Sequence, residues 1–144
     1  MESLKIDKIN KTVSGSIKIT GSKSESNRLL VLQQFYPNLK IENVSNSDDS
    51  VLMKKALTSS KNEINIGHAG TAMRFLTAYF SVKENSKIVL TGSHRMKNRP
   101  IKILVDALRE LGAKIGYLEK DGFPPLSIEG KKFTKNFVEI DGNV

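Results

Sequence analysis

The chain has 144 residues, 38% of them hydrophobic, which is enough for one domain with a core and too little for two full ones. It contains no cysteine, which excludes disulfides and cysteine-based metal sites and is typical of a cytoplasmic protein. The net charge of +8 favours an anionic partner, but an aromatic content of 6% without tryptophan makes nucleic acid a poor candidate. The aliphatic runs are short, which argues against a membrane span.

Hydrophobic periodicity predicts eight strands and four helices. The predicted strands cover residues 4–9, 15–20, 39–44, 63–66, 87–92, 113–118, 125–130 and 137–140. The predicted helices run from Ser24 to Tyr36, over 48–57, from near Thr71, and from Pro100 to a stop at Gly112. Asp48 and Asp49 are expected to cap the second helix. The order predicts a mixed α/β fold.

The chain also shows a weak internal repeat. From Gly21 and again from Gly67, a glycine loop leads into a helix in which an arginine precedes two large apolar residues, and then into a strand, a loop and a helix. This pattern predicts two stacked units that share a core, with the first one shortened. Because a strand and an Asp-Gly turn close the sequence, we expect one partial domain, residues 1–144, of a longer protein.

The loop "GSKSESNR", residues 21–28, is the first candidate site. Ser22 and Glu25 have the spacing of a capping box, which needs no ligand. However, Ser24 and Arg28 are four residues apart and share a helix face, and Lys23 lies where backbone N–H groups point outward. Together these groups form the kind of helix start that binds phosphate oxygens.

Two later loops have a similar character. In "GHAGTAMR", residues 67–74, the ordinary reading is a turn followed by a Thr71 cap, while the functional reading is that Gly70 lets an anion approach the helix amides. His68 is interpreted as a base or as a turn residue, the latter being commoner for a histidine without an evident carboxylate partner. In "GSHRMKNRP", residues 92–100, Arg99 directly precedes a helix and has the planar fork that grips carboxylates and phosphates.

Other catalytic signatures are missing. The sequence has no nucleotide P-loop, no G-x-G-x-x-G, no Ser/His/Asp order and no metal-binding cluster, and its acids are accounted for as caps or surface partners. We therefore expect proton-transfer groups that come from elsewhere.

The stretches "GSKSESNR", "AGTAMRF", "RMKNRPI", "LVDALRELGAKIGYLE" and "PPLSIEG" resemble, in order, the N-terminal part of the 5-enolpyruvylshikimate-3-phosphate synthase family. The resemblance implies an enolpyruvyl transferase fold of repeated β-α-β-α-β-β units, which is incomplete in this chain. It also implies a two-domain enzyme in which residues 1–14 cross to the other domain as a strand. It implies transfer of the enolpyruvyl group of phosphoenolpyruvate to the 5-hydroxyl of shikimate 3-phosphate, with release of phosphate, on the route to chorismate and the aromatic amino acids. It also implies that the reaction needs no metal and no organic cofactor.

The same resemblance implies roles for five residues. Lys23 would contact both substrates, Ser24 and Arg28 would hold shikimate 3-phosphate, and Gly70 and Arg99 would hold phosphoenolpyruvate or the herbicide glyphosate. The acid and base residues would come from the remainder of the enzyme, which is the expected partner, so the chain alone is expected to be inactive. His68 and Phe75 depart from the asparagine and proline that are frequent in the family.

Three alternatives remain open at this stage. A relative of the UDP-N-acetylglucosamine enolpyruvyl transferases would share the fold, although those typically carry a loop cysteine and a Lys-Asn pair. A basic nucleic-acid-binding module would explain the charge alone, and a non-catalytic scaffold would keep the fold without the chemistry.

Overall fold

The computed structural model describes residues 3–5, 7, 12 and 14–140. In chain order the elements are α1 (Lys23–Phe35), α2 (Asp48–Leu57), β1 (Glu63–Asn65), α3 (Gly70–Val82), β2 (Lys87–Thr91), α4 (His94–Lys97), α5 (Lys102–Leu111), β3 (Lys114–Tyr117) and β4 (Leu126–Glu129). The mixed α/β class expected from the sequence is confirmed. None of the helices in the described ranges is long and apolar enough to span a bilayer.

The strands form one mixed sheet in the order β1-β2-β4-β3. β1 and β2 run parallel, while β4 is antiparallel to both β2 and β3. From β1 to β4 the chain therefore follows one β-α-β-α-β-β course, with the short α4 added before α5. The segment before β1 supplies α1 and α2 but no strand among the described residues, so repetition of the unit stays a prediction.

Helix α3 lies at the centre of the core. It packs against α1, α2 and α5 and against β2 and β4. Met73, Leu76 and Phe80 are at most 2% exposed, and they belong to the same apolar cluster as Leu90 and Leu126 of the sheet. A helix covered on this many sides must be apolar around most of its surface, as α3 is.

The other face of the sheet is polar and open. Lys87, Glu129 and Lys114 stand opposite one another on β2, β4 and β3. The Lys114 ammonium lies 2.8 Å from a Glu129 carboxylate oxygen, and this hydrogen bond lowers the pKa of the Glu129 carboxyl below its ordinary value of 4.5. Cross-strand pairs of this kind belong to a solvated sheet face.

Several predicted element boundaries are corrected by the structure. Helix α5 begins at Lys102, not at Pro100, because the buried Ile101 donates its backbone N–H to Gly122 O at 2.9 Å and lies outside helical geometry. Its end at Gly112 is confirmed, with a left-handed φ of 111° that glycine adopts without strain. Thr71 does not cap α3, because Gly70 is already helical.

At α2, the side-chain cap is Ser47, whose hydroxyl accepts from Ser50 N. Asp48 and Asp49 instead occupy the first turn, where the helix dipole favours negative charge.

Four predicted strands, those over 63–66, 87–92, 113–118 and 125–130, are confirmed with small shifts. Those over 15–20, 39–44 and 137–140 are not formed. Asn43 has a left-handed φ of 50°, which interrupts the extended run over 39–44. Between this run and the one that ends just before Gly21, the structure shows a single backbone hydrogen bond, from Gly21 N to Asn43 O. A strand needs a continuous ladder of such bonds.

The strand expected over 4–9, and with it the crossing strand over 1–14, falls largely outside the described residues and stays a prediction.

We expect Leu76→Ala to lower the free energy of unfolding by about 2 to 5 kcal/mol, because truncating a fully buried leucine loses apolar contacts and leaves a cavity. Urea denaturation followed by circular dichroism measures this. Leu32→Ala is the matched control, since Leu32 is 45% exposed on α1 and its truncation is expected to cost less than about 1 kcal/mol. Equal losses in the two variants would contradict the central position of α3.

Candidate anion-binding site

The start of α1 presents a polar face to solvent. Ser22 is its N-cap and accepts from Glu25 N at 3.4 Å, which is half of the predicted capping box. One turn on, Arg28 Nη1 donates to Ser24 Oγ at 2.5 Å and to Ser24 O at 2.8 Å. The structure thus brings Ser24 and Arg28 together on one exposed face, as their spacing predicts.

The other polar residues of this loop have a structural role that the sequence did not disclose. Ser26 Oγ accepts from Ser45 N at 2.9 Å, and Ser50 Oγ donates to Asn27 Oδ1 at 2.9 Å. Both Ser26 and Asn27 are buried, so they tie α1 to the start of α2. Only some of the polar side chains in "GSKSESNR" are therefore exposed and able to contact an anion.

Gly70 and Arg99 touch each other at the start of α3. A Cβ atom added to Gly70 would overlap Arg99 Nη1, so the guanidinium rests against the bare backbone of the helix. Arg74 holds the neighbouring loop in place, because its Nη2 donates to Pro100 O at 3.1 Å and its Nη1 to Gly70 O at 3.4 Å. Only a residue without a side chain allows this approach.

A cavity of about 530 Å³ opens at this point. It is lined by Gly70, Thr71, Arg74, Phe75, Ala78, Arg99 and Leu104. The Arg28 guanidinium of α1 lies 5.5 Å from the centre of the Phe75 ring, within cation–π range. Phe75 therefore links the Ser24–Arg28 pair to the cavity that Gly70 and Arg99 border.

Lys23 is the fifth predicted site residue. It opens α1 beside Ser24 and is exposed, but no hydrogen bond or ion pair among the described residues joins it to Gly70 or Arg99. Its place next to Ser24 in the first turn of α1 is therefore what connects Lys23 to the other predicted site residues.

A second, smaller pocket of about 170 Å³ lies on the other side of Arg99, lined by His68, Arg95, Met96 and Arg99. His68 has a carboxylate partner after all, because its Nε2 lies 3.6 Å from Asp48 Oδ2. His68 and Asp48 are 20 residues apart, at opposite ends of a segment that contains α2. No local sequence pattern indicates their contact. His68 lies in a turn, as the commoner of its two interpretations expects, and its contact with Asp48 adds a carboxylate neighbour that the sequence did not identify.

The arginines around these pockets lack balancing acids. Arg28, Arg74, Arg95 and Arg99 form no ion pair among the described residues, whereas Lys97 of the same basic loop is paired with Glu119. The lining of the large cavity includes no carboxylate. Within the described ranges, no group of three acids or histidines is suited to a metal ion. The arrangement can hold anions and orient them, and it offers no base of its own there.

Comparison with known proteins identifies the family. A sequence model described as EPSP synthase (3-phosphoshikimate 1-carboxyvinyltransferase) matches residues 36–144. The chain belongs to the EPSP synthase family. The 3-phosphoshikimate 1-carboxyvinyltransferase of Bacteroides fragilis is 47% identical over 133 residues, covering 92% of this chain and 32% of that protein. The corresponding protein of Escherichia coli O1:K1 / APEC is 42% identical over 171 residues, covering 100% and 39%.

Solved structures agree on the fold of this EPSP synthase family member. The EPSP synthase of Acinetobacter baumannii superposes with a TM-score of 0.65 over 81% of the chain and 32% of that structure, at 23% identity. The chain thus spans roughly a third of the length of the curated relatives and of this structure. The family match favours EPSP synthase over the UDP-N-acetylglucosamine transferases that share the fold.

We expect Gly70→Ala to displace the Arg99 guanidinium without unfolding the protein. The new methyl group would overlap Arg99 Nη1, but this is the end of a flexible, exposed side chain that can move into solvent, so the free energy of unfolding should change by less than about 1 kcal/mol. The measurement is the NMR signal of the Arg99 Nε–H group, assigned with Arg99→Lys. Gly15→Ala is the control, because no atom lies within 4 Å of its added Cβ. An Arg99 signal that stays in place in Gly70→Ala would refute the contact.

Proposed function

We propose that the chain contributes part of the active site of an enzyme that transfers the enolpyruvyl group of phosphoenolpyruvate to the 5-hydroxyl of shikimate 3-phosphate. Residues 1–144 would form one partial domain of that enzyme. The observation that carries this proposal is that Arg99 lines the cavity while Arg28 lies over the ring of Phe75, which lines the same cavity. Neither arginine has an acidic partner among the described residues. Two separate cationic groups suit a reaction between two anionic substrates.

The roles proposed for the residues are those that the family resemblance implies, and the observed positions support them. Ser24 and Arg28, joined on the exposed face of α1, would hold shikimate 3-phosphate. Arg99, resting on Gly70, would hold phosphoenolpyruvate, and Lys23 at the opening of α1 would contact both substrates. A guanidinium matches the paired oxygens of phosphates and carboxylates, which fixes the orientation of each substrate as well as its charge.

In the reaction, the 5-hydroxyl would give up its proton to a proton-transfer group, and its oxygen would form a bond to C2 of phosphoenolpyruvate while the C2–C3 double bond becomes single and C3 gains a proton. The tetrahedral adduct would then lose a proton from C3, and the bond from C2 to the phosphate oxygen would break, releasing inorganic phosphate. The arginines of this chain would stabilise the negative charge that the phosphate and carboxylate carry throughout. Since the cavity lining includes no carboxylate, the proton-transfer groups would come from the remaining length of the protein, and the chain alone would be inactive.

We expect Arg28→Ala to weaken the binding of shikimate 3-phosphate by about 1.5 to 3 kcal/mol, the range of a lost hydrogen bond to a charged group. Calorimetry measures this on the chain with the segment that corresponds to the remaining length of its relatives supplied in trans. Lys87→Ala is the matched control, since it removes the same charge from the open face of the sheet, where the Lys87 side chain is 81% exposed. Unchanged affinity in Arg28→Ala, or an equal loss in both variants, would contradict the assignment.

A further inference from the structure

Phe75 of α3 provides a surface for a cation of the neighbouring helix. The Arg28 guanidinium of α1 lies over its ring, 5.5 Å from the centre. The ring is half-buried, packs against the apolar core and also lines the large cavity. Leu76, the next residue of α3, is fully buried, so the backbone that carries the ring is fixed. The position of the ring is therefore set by the core and not by Arg28.

The hydrogen bonds of Arg28 are local to α1. Its Nη1 donates to Ser24 Oγ and to Ser24 O, one turn earlier on the same helix. Within the part of the chain that the structure describes, no group accepts a hydrogen bond from Arg28 Nε or Nη2. These two donors form one of the paired edges with which a guanidinium binds phosphate oxygens. Ser24 thus holds one end of the guanidinium, the Phe75 ring covers its face, and the Nε–Nη2 edge is left for a ligand.

We propose that Phe75 is a positioning residue, which holds the Arg28 guanidinium so that its Nε–Nη2 edge meets the phosphate of shikimate 3-phosphate. This inference rests on the proposed function for the identity of the anion. An aromatic ring attracts the cation without neutralising it, whereas a carboxylate in the same place would compete with the phosphate. Without the ring, the long, exposed side chain of Arg28 has to be ordered when the anion binds, and this ordering lowers the affinity.

The NMR signal of the Arg28 Nε–H group reports the contact directly, because the ring current shields protons that lie over an aromatic ring. We expect this signal, assigned with Arg28→Lys, to move downfield in Phe75→Leu and to stay in place in Phe75→Tyr, which keeps the ring. Phe35→Leu is the matched control and should leave the signal unchanged. It removes a ring from the same pair of helices, where Phe35 meets Tyr79 edge-on at 5.8 Å, about two turns from Arg28.

The effect on binding is measured by calorimetry on the chain assembled with the segment that corresponds to the remaining length of its relatives. We expect Phe75→Leu to weaken shikimate 3-phosphate binding about two- to fivefold, the effect of ordering one long side chain on binding. Phe75→Tyr should keep the affinity of the unmodified chain. In the background of Arg28→Ala, Phe75→Leu should cause no further loss, because the ring acts through the guanidinium.

Four results would overturn the proposal: an Arg28 signal that does not move in Phe75→Leu, an unchanged affinity in that variant, a Phe75→Tyr variant that binds as weakly as Phe75→Leu, or an equal loss with and without the Arg28 side chain. If the unmodified assembly does not bind shikimate 3-phosphate, the proposed function fails, whereas the NMR comparison still decides whether Phe75 holds Arg28.

Discussion

The burial of α3 is the constraint on which the rest of the structure depends. Met73, Leu76 and Phe80 are covered by three other helices and by the sheet, so the helix has one position that satisfies all of these surfaces at once. Closely packed interiors resist small displacements, because each shift opens voids or creates overlaps. The start of α3 is therefore held rigidly, and so are the backbone atoms of Gly70 that border the cavity.

The candidate site is built outward from this fixed helix start. Arg99 rests on Gly70, and Arg74 secures the loop that carries Arg99 by bonding to the carbonyls of Gly70 and Pro100. Phe75, one residue further along α3, lies beneath the guanidinium of Arg28. Among the described residues, each of these cations is held by backbone, hydroxyl or aromatic contacts and not by a carboxylate. Such contacts position a guanidinium without neutralising it, and this leaves the charge available to an anionic ligand.

The sequence predicts the helices better than the strands. A helix satisfies its own backbone hydrogen bonds, so the apolar spacing in α1 and α3 locates them to within one or two residues. A strand depends on a distant partner, and the alternating residues 15–20 and 39–44 do not form one. The same difference between local and long-range contacts applies to the candidate site. The pairing of Ser24 with Arg28 follows from a spacing of four, whereas the contacts of Gly70 with Arg99 and of His68 with Asp48 arise from tertiary packing.

The most direct test of a shared anion-binding centre is a crystal structure of the chain, assembled with the segment that corresponds to the remaining length of its relatives, in complex with shikimate 3-phosphate and phosphoenolpyruvate. We predict that one anion contacts Ser24 and Arg28, that the other contacts Arg99 beside Gly70, and that Phe75 lies between them. Anions bound instead along the open face of the sheet, at Lys87 and Lys114, would contradict it.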